Sequence, residues 1–261
     1  MSRVPLEIHP GAVVHPDAKL GPGVTVGPYA VIGEHVVIGA GTTIGPHAVI
    51  EGWTEIGQEC RIAQFACIGG PPQHLEYRGE ETRVVIGNRN VIREFVTIHR
   101  GTVRGGARTV IGDDNYLMAY AHVAHDCEVG NHVIMANCAS LAGHILIEDY
   151  AVLGGLAGIH QFARIGAHAL VGACSGVSQD VPPYVHATGN RATPHGLNTV
   201  GLKRHGFSEE TLRTLEQAYK LLYRSGLTLQ EALDQIQQQL RGPEVEHFVA
   251  FIKASERGVV R

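Results

Sequence analysis

Aliphatic residues recur along this chain every six positions. From Ile8 the series runs through Val14, Leu20, Val26, Ile32, Ile38, Ile44, Ile50, Ile56 and Ile62 to Ile68. It resumes at Ile86, Ile92 and Ile98, and again from Ile111 through Leu117, Val123, Val129, Met135, Leu141, Ile147, Leu153, Ile159, Ile165 and Val171 to Val177. A period of six fits neither the 3.6-residue repeat of a helix nor the two-residue alternation of an ordinary strand. It fits a triangular solenoid in which each hexad makes one flat face and three hexads close a coil. The aliphatic side chain points into the prism, and the glycines that often follow it ease the corners. The 26 hexads predict roughly nine coils, a prism about 42 Å long at ~4.8 Å per coil.

Two stretches leave the repeat without destroying its phase, residues 70–85 and 100–110. Both are predicted to be loops extruded from the prism, where function concentrates on a rigid scaffold. Seven arginines between Arg78 and Arg108 face only Glu80, Glu81 and Glu94. This local basic patch is read as a docking site for an acidic partner. Near Asp180-Val181-Pro182-Pro183 the hexads stop, and the periodicity changes to that of helices. Ser208-Glu209-Glu210 signals a helix start before TLRTLEQAYKLLYRSG, Thr228 opens a second helix, and a third covers roughly 245–257. The expected organisation is a solenoid over 1–186 and a helical unit over 187–261 that caps its open end.

Composition narrows the class. Apolar residues make up 44% of 261, enough for a buried core, while 33 glycines and only 18% charged residues exclude a coiled coil. No apolar run is long enough to span a bilayer, and MSRVPLEIHP lacks the apolar segment of a secretory signal. The five cysteines, Cys60, Cys67, Cys127, Cys138 and Cys174, form no CxxC pair. They are read as reduced thiols of a cytoplasmic protein, with a Cys127–His125 nucleophile as the alternative.

Residues eighteen apart stack from coil to coil, and this singles out candidates among the 16 histidines. His125, Gly143 and Gln161 form one column. Asp126 and His144 stand beside it, and Ala124, Ala142 and His160 form the column on the other side. An imidazole, a bare glycine N–H and an amide on one edge suit acyl transfer. His125 acts as general base, Asp126 orients its ring, and the Gly143 N–H stabilises an oxyanion, with no metal required.

The segments GPPQHLEYRGEETR, VIREFVTIHRGTV, AHVAHDCEVGN, LAGHILI, GIHQFARIGAHALVG, CSGVSQDVPPYV and LNTVGLKRHGF resemble the UDP-N-acetylglucosamine O-acyltransferase family, over essentially the whole chain. The resemblance implies a mainly β protein, a left-handed parallel β-helix with a small C-terminal α-helical domain. It further implies transfer of an (R)-3-hydroxyacyl group from acyl carrier protein to the glucosamine 3-hydroxyl of UDP-N-acetylglucosamine. This is the first step of lipid A synthesis, carried out in the cytoplasm by a homotrimer with sites between subunits. The thioester-bearing carrier is a co-substrate and no cofactor is implied. His125 matches the family's general base and Gly143 its oxyanion donor. His99, His122, His144, His160 and Gln161 match substrate-lining positions, Asn198 and Arg204 match residues near the nucleotide, and Ala173 matches a position that limits the acyl chain.

Departures bear on specificity. His74 and Glu76 stand where the family carries an acid and a lysine that contact substrate, and Val200 and His205 replace an acid and an arginine. They raise the alternative of the same reaction on the 3-amino sugar analogue. Ala173, with Ala119, Asn137 and Gly155 in its column, predicts a hydroxyacyl chain of about 10–12 carbons, some 13 Å of groove from His125; Arg191 is the alternative end of that groove. Rival readings on the same fold are a later N-acyltransferase, a γ-type carbonic anhydrase with Zn²⁺ on histidines, and a non-catalytic scaffold. The expected partners are the sugar nucleotide, the acyl carrier and two further copies of the chain; no nucleic acid is expected.

Overall fold

In a computed structural model, residues 6–261 are described; the first residues of the expected solenoid and of the N-terminal segment read for a signal lie outside them. Short parallel strands stack into three sheets. Successive strands visit them in turn, so that Glu7–Ile8, Val13–Val14 and Lys19–Leu20 each open one. The sheets contain eleven, nine and eight strands, and the coils wind into a left-handed parallel β-helix.

The hexads account for this directly. From Val26 to Val177 every aliphatic position of the series is buried, each contributing about 1.5–3 kcal/mol by leaving water. Ile8 remains 40% exposed, at the end of its sheet, with no coil beneath it among the described residues. Two residues before most of the aliphatic positions stands a small or compact interior residue, such as Ala121, Ala139 and Ala157. Asn90 and Asn115 occupy such positions in adjacent coils. Each side-chain carbonyl accepts the next coil's N–H, from Asn115 (2.9 Å) and Val133 (2.7 Å) respectively. The corners take a left-handed residue, φ 61° at Asp126 and 60° at His144, a conformation that Asp and His tolerate better than most.

Both predicted loops emerge, from the same edge, between the nine- and eight-stranded sheets. Ile86 pairs with Ile56, and Arg83–Ile86 is already a strand, so the first loop ends at Thr82. The second ends at Ala107, because Arg108–Ile111 is a strand; it contains the 3₁₀ turn Val103–Gly105. Pairing of Ile86 with Ile111 shows that this loop is not a whole number of hexads. The expectation of an unbroken phase therefore holds for the first loop only; strand pairing, not sequence period, keeps the register.

The basic patch is largely neutralised. Arg83 pairs with Glu55 and Glu81, Arg89 with Asp113 and Asp114, Arg93 with Glu94 and Arg104 with Glu76. Arg100 is buried between the rings of Trp53 and Tyr77. Most of these acids come from neighbouring coils or from Glu76, outside the stretch counted in the sequence.

The strand Val185–Thr188 crosses the expected 186/187 boundary, pairing parallel to Leu170–Val171 and antiparallel to Thr193–Leu197. Four helices follow: α1 (Thr199–Arg204), α2 (Glu209–Arg224), α3 (Leu229–Gln239) and α4 (Pro243–Lys253). Ser208 caps α2, and Thr228 with Glu231 forms a capping box on α3. The chain end bridges Val259 to Asp180 and so covers the edge beyond Arg164–Ile165. No helix among the described residues is long and apolar enough to cross a membrane.

Candidate active site

The edge that extrudes both loops also carries His125 and Asp126 in the next coil, Gly143 and His144 in the one after, and Gln161 beyond. The loops and the predicted column thus converge. His125 Nδ1 lies 2.8 Å from Asp126 Oδ2, and both residues are nearly inaccessible, with the Asp126 side chain fully so. A carboxylate is acceptor only, so Nδ1 donates and the Nε2 lone pair is free to take a proton. Asp126 Oδ1 also accepts the Thr102 N–H at 2.7 Å, and Oδ2 accepts the Thr102 hydroxyl at 2.7 Å. The N–H of Asp126 itself donates to Thr109 Oγ1.

His144 stands 3.6 Å from Asp126 Oδ2 and stacks on Phe162. The ring of His74, on the first loop, meets the His125 ring edge to face at 5.3 Å. Glu76 turns away to Arg104 at 2.8 Å. His99 and His122 contact each other at 5.2 Å, and His122 Nδ1 bonds Thr97 Oγ1. Burial, with His122 and His125 nearby, pushes His99 down to about 4. Burial also lowers His122, and it lowers His144 against the opposing pull of Asp126. These neighbours therefore remain neutral near pH 7 and do not repel a proton arriving on His125.

Among the described residues the N–H of Gly143 has no hydrogen-bond partner, and a Cβ on this glycine would strike the His125 ring. The free donor and the imidazole border one groove of about 730 Å³. Its floor is the outward row His122, Ser140, Gly158 and Gly176, paired from coil to coil. The row shrinks from imidazole to hydrogen, opening a channel that ends at Asn190 and Arg191. His160 and Gln161 line it.

Other expected residues lie elsewhere. Ala173 is exposed at the corner between the eleven- and nine-stranded sheets and is absent from the groove lining. Asn198 and Arg204 sit on α1 at the third edge. There Asn198 donates to the His168 carbonyl and caps the helix, Arg204 is exposed, and His205 meets His168 at 3.0 Å. A single chain does not bring them to His125. Gln73, Ser140, Asn190 and Thr102 were missed by sequence reasoning. Ser140 and Asn190 carry no motif, whereas the outward position of Ser140 follows from the hexad count.

Cys127 is buried and its thiol is pushed up to about 12 by that burial, which leaves a protonated, unreactive sulfur bonded to the Ala142 carbonyl. The Cys127 nucleophile is thereby excluded near neutral pH. His125, Asp126 and His144 offer donor atoms within 4.8 Å of one another. The Asp126 oxygens, however, already accept from Thr102 and His125, a donor set built for hydrogen bonding rather than for the zinc of a carbonic anhydrase.

A hexad solenoid with an acid-held imidazole facing a free glycine N–H defines a hexapeptide-repeat acyltransferase. Residues 35–70 and 108–143 match the bacterial transferase hexapeptide model, and 180–260 match domain 2 of UDP N-acetylglucosamine O-acyltransferase. The acyl-acyl-carrier-protein–UDP-N-acetylglucosamine O-acyltransferase of Burkholderia lata is 54% identical, over 97% of this chain and 99% of its own. LpxA from Acinetobacter baumannii superposes with a TM-score of 0.95 at 46% identity, over 97% of this chain and 99% of that one. The Francisella novicida UDP-N-acetylglucosamine acyltransferase does so with 0.93 at 41%, over 97% and 94%. The chain belongs to the UDP-N-acetylglucosamine O-acyltransferase family.

Proposed function

We propose that the protein transfers an (R)-3-hydroxyacyl group from acyl carrier protein to the glucosamine 3-hydroxyl of UDP-N-acetylglucosamine, opening lipid A synthesis in the cytoplasm. The observation that carries this reading is the free Nε2 of His125, oriented by Asp126 at 2.8 Å, beside the unpartnered N–H of Gly143. Nε2 takes the proton of the sugar hydroxyl as its oxygen attacks the thioester carbonyl. The resulting oxyanion accepts from Gly143, and collapse breaks the C–S bond. The departing carrier thiolate takes the proton back from Nε2, leaving ester and free thiol with no cofactor consumed. The acyl tail lies along the channel over Gly158 and Gly176.

The nucleotide half of the site comes from a neighbouring copy in a homotrimer. Asn198 and Arg204 stand on a different edge from His125, and a threefold assembly of prisms sets one edge against another. The decisive assay follows acyl transfer to the 3-hydroxy sugar, with the 3-amino analogue as competitor. His125→Ala is expected to lose about 10²–10⁴-fold in kcat, the worth of a positioned general base, while still binding the sugar nucleotide. Retention of a tenth of wild-type kcat overturns the assignment, and preference for the amino sugar overturns the acceptor.

A further inference from the structure

We infer that Thr102 is a positioning residue for the reaction: the second extruded loop exists to fix the carboxylate that orients His125. Thr102 is buried and makes two hydrogen bonds to Asp126, its N–H to Oδ1 and its hydroxyl to Oδ2, both at 2.7 Å. The hydroxyl itself accepts the Gly105 N–H at 3.3 Å. With that lone pair engaged, its proton points to Oδ2, the same oxygen that receives the His125 Nδ1 proton at 2.8 Å. A directed chain therefore runs Gly105 N–H to Thr102 Oγ1–H to Asp126 Oδ2, and His125 closes on the same atom.

The loop is built around this contact. A Cβ on Gly105 would overlap the Asp126 carboxylate, and one on Gly101 would lie 2.7 Å from Oδ1. Glycine on both sides is what allows the backbone to approach so closely. The same Oδ2 also faces His144 at 3.6 Å, too long for a firm hydrogen bond. Without the Thr102 hydroxyl, Oδ1 stays on the backbone N–H while Oδ2 keeps a single firm partner, His125, and can turn about that anchor toward His144, taking the Nδ1 proton's acceptor out of line. Hydrogen bonds to a carboxylate buried as completely as that of Asp126 are the strong ones.

The inference rests on His125 being the general base, so His125→Ala is measured alongside. Thr102→Val keeps the volume and the backbone donor and removes the hydroxyl; Thr102→Ser keeps both donors. Thr102→Val is expected to lower kcat roughly 10- to 100-fold, the worth of one hydrogen bond to a charged group, with KM for the sugar nucleotide within about twofold of wild type. Thr102→Ser is expected to recover most of the loss. The low-field proton resonance of the His125 Nδ1–H, absent in His125→Ala, is expected to shift or broaden in Thr102→Val and to return in Thr102→Ser. A merely structural threonine would change thermal stability and leave that resonance in place. The inference fails if Thr102→Val keeps half of wild-type kcat, if its loss falls on KM, or if serine rescues neither rate nor resonance. A fully active His125→Ala would instead overturn the general-base reading itself.

Discussion

Gly143 stands directly against the imidazole of His125: a methyl group added to Gly143 would overlap Cε1 and lie 2.8 Å from Nε2. One position therefore supplies the free donor and makes room for the base. Gly143→Ala keeps the N–H but forces the ring to move or the coil to widen. We expect kcat to fall by about 10² or more; Gly143 has no positive φ, so the loss of stability is confined to the overlap with the ring, about 1–3 kcal/mol. Steady-state kinetics check it, and a Gly143→Ala enzyme within fivefold of wild type removes the contact from the mechanism.

The proposed division of the site between copies makes a second prediction. If His125 of one copy works with Arg204 of another, His125→Ala and Arg204→Ala subunits complement each other. Each variant alone is expected to be inactive or severely slowed, whereas co-expressed mixed trimers recover activity because some interfaces pair an intact His125 with an intact Arg204. Mixed trimers, verified by mass spectrometry, that remain as slow as their parents contradict a shared site.

Acid is expected to destabilise the fold through two half-buried histidines. His99 and His168 take up a proton at 6.5 when unfolded, but burial, with neighbouring imidazoles, pushes them down to about 4 in the folded protein. Between these values the unfolded chain binds more protons than the folded one, so stability is lost as pH falls from 6.5 towards 4. We expect Tm to drop across that window and the drop to be shallower in a His99→Gln, His168→Gln double variant. Identical slopes by calorimetry would show that these two side chains do not set the acid sensitivity.

The solenoid was legible because one repeating position, from Val26 to Val177, is buried every time, so the pattern repeats often enough to override any local ambiguity. His125, Asp126 and Gly143 followed from the same arithmetic, since stacking at eighteen converts sequence distance into a shared edge. Thr102 did not. It reaches Asp126 through a loop whose length no repeat dictates, and a threonine between glycine and valine carries no signal of its own. Arg83, Arg89 and Arg104 read as part of a basic patch because Glu55, Asp113, Asp114 and Glu76 lie outside the 78–108 window, where charge counting cannot find them. The six-residue helix α1 is too short for a periodicity to form, and Val185–Thr188 continues the sheet after the hexads have ended.

The length of the acyl chain offers the last prediction. The groove from His125 opens over the hydrogen side chains of Gly158 and Gly176 and then meets Asn190 and Arg191. A Cβ on Gly176 would lie 2.6 Å from Asn190 Oδ1, so this end is closed by the segment 190–191 and not by a wall of the prism. Ala173 lies at the next corner and does not line the channel. Truncating the exposed Arg191 side chain lengthens the apolar floor, and each further buried methylene contributes about 0.8 kcal/mol, close to fourfold in affinity. Arg191→Ala is therefore expected to shift preference towards a longer chain, with kcat/KM for a donor two methylenes longer rising roughly 15-fold relative to the shorter one. Ala173→Gly is the comparison. A shift confined to Ala173→Gly, with Arg191→Ala unchanged across a ladder of hydroxyacyl carriers, would move the limit to the Ala173 corner and show that the channel turns there in the assembled enzyme.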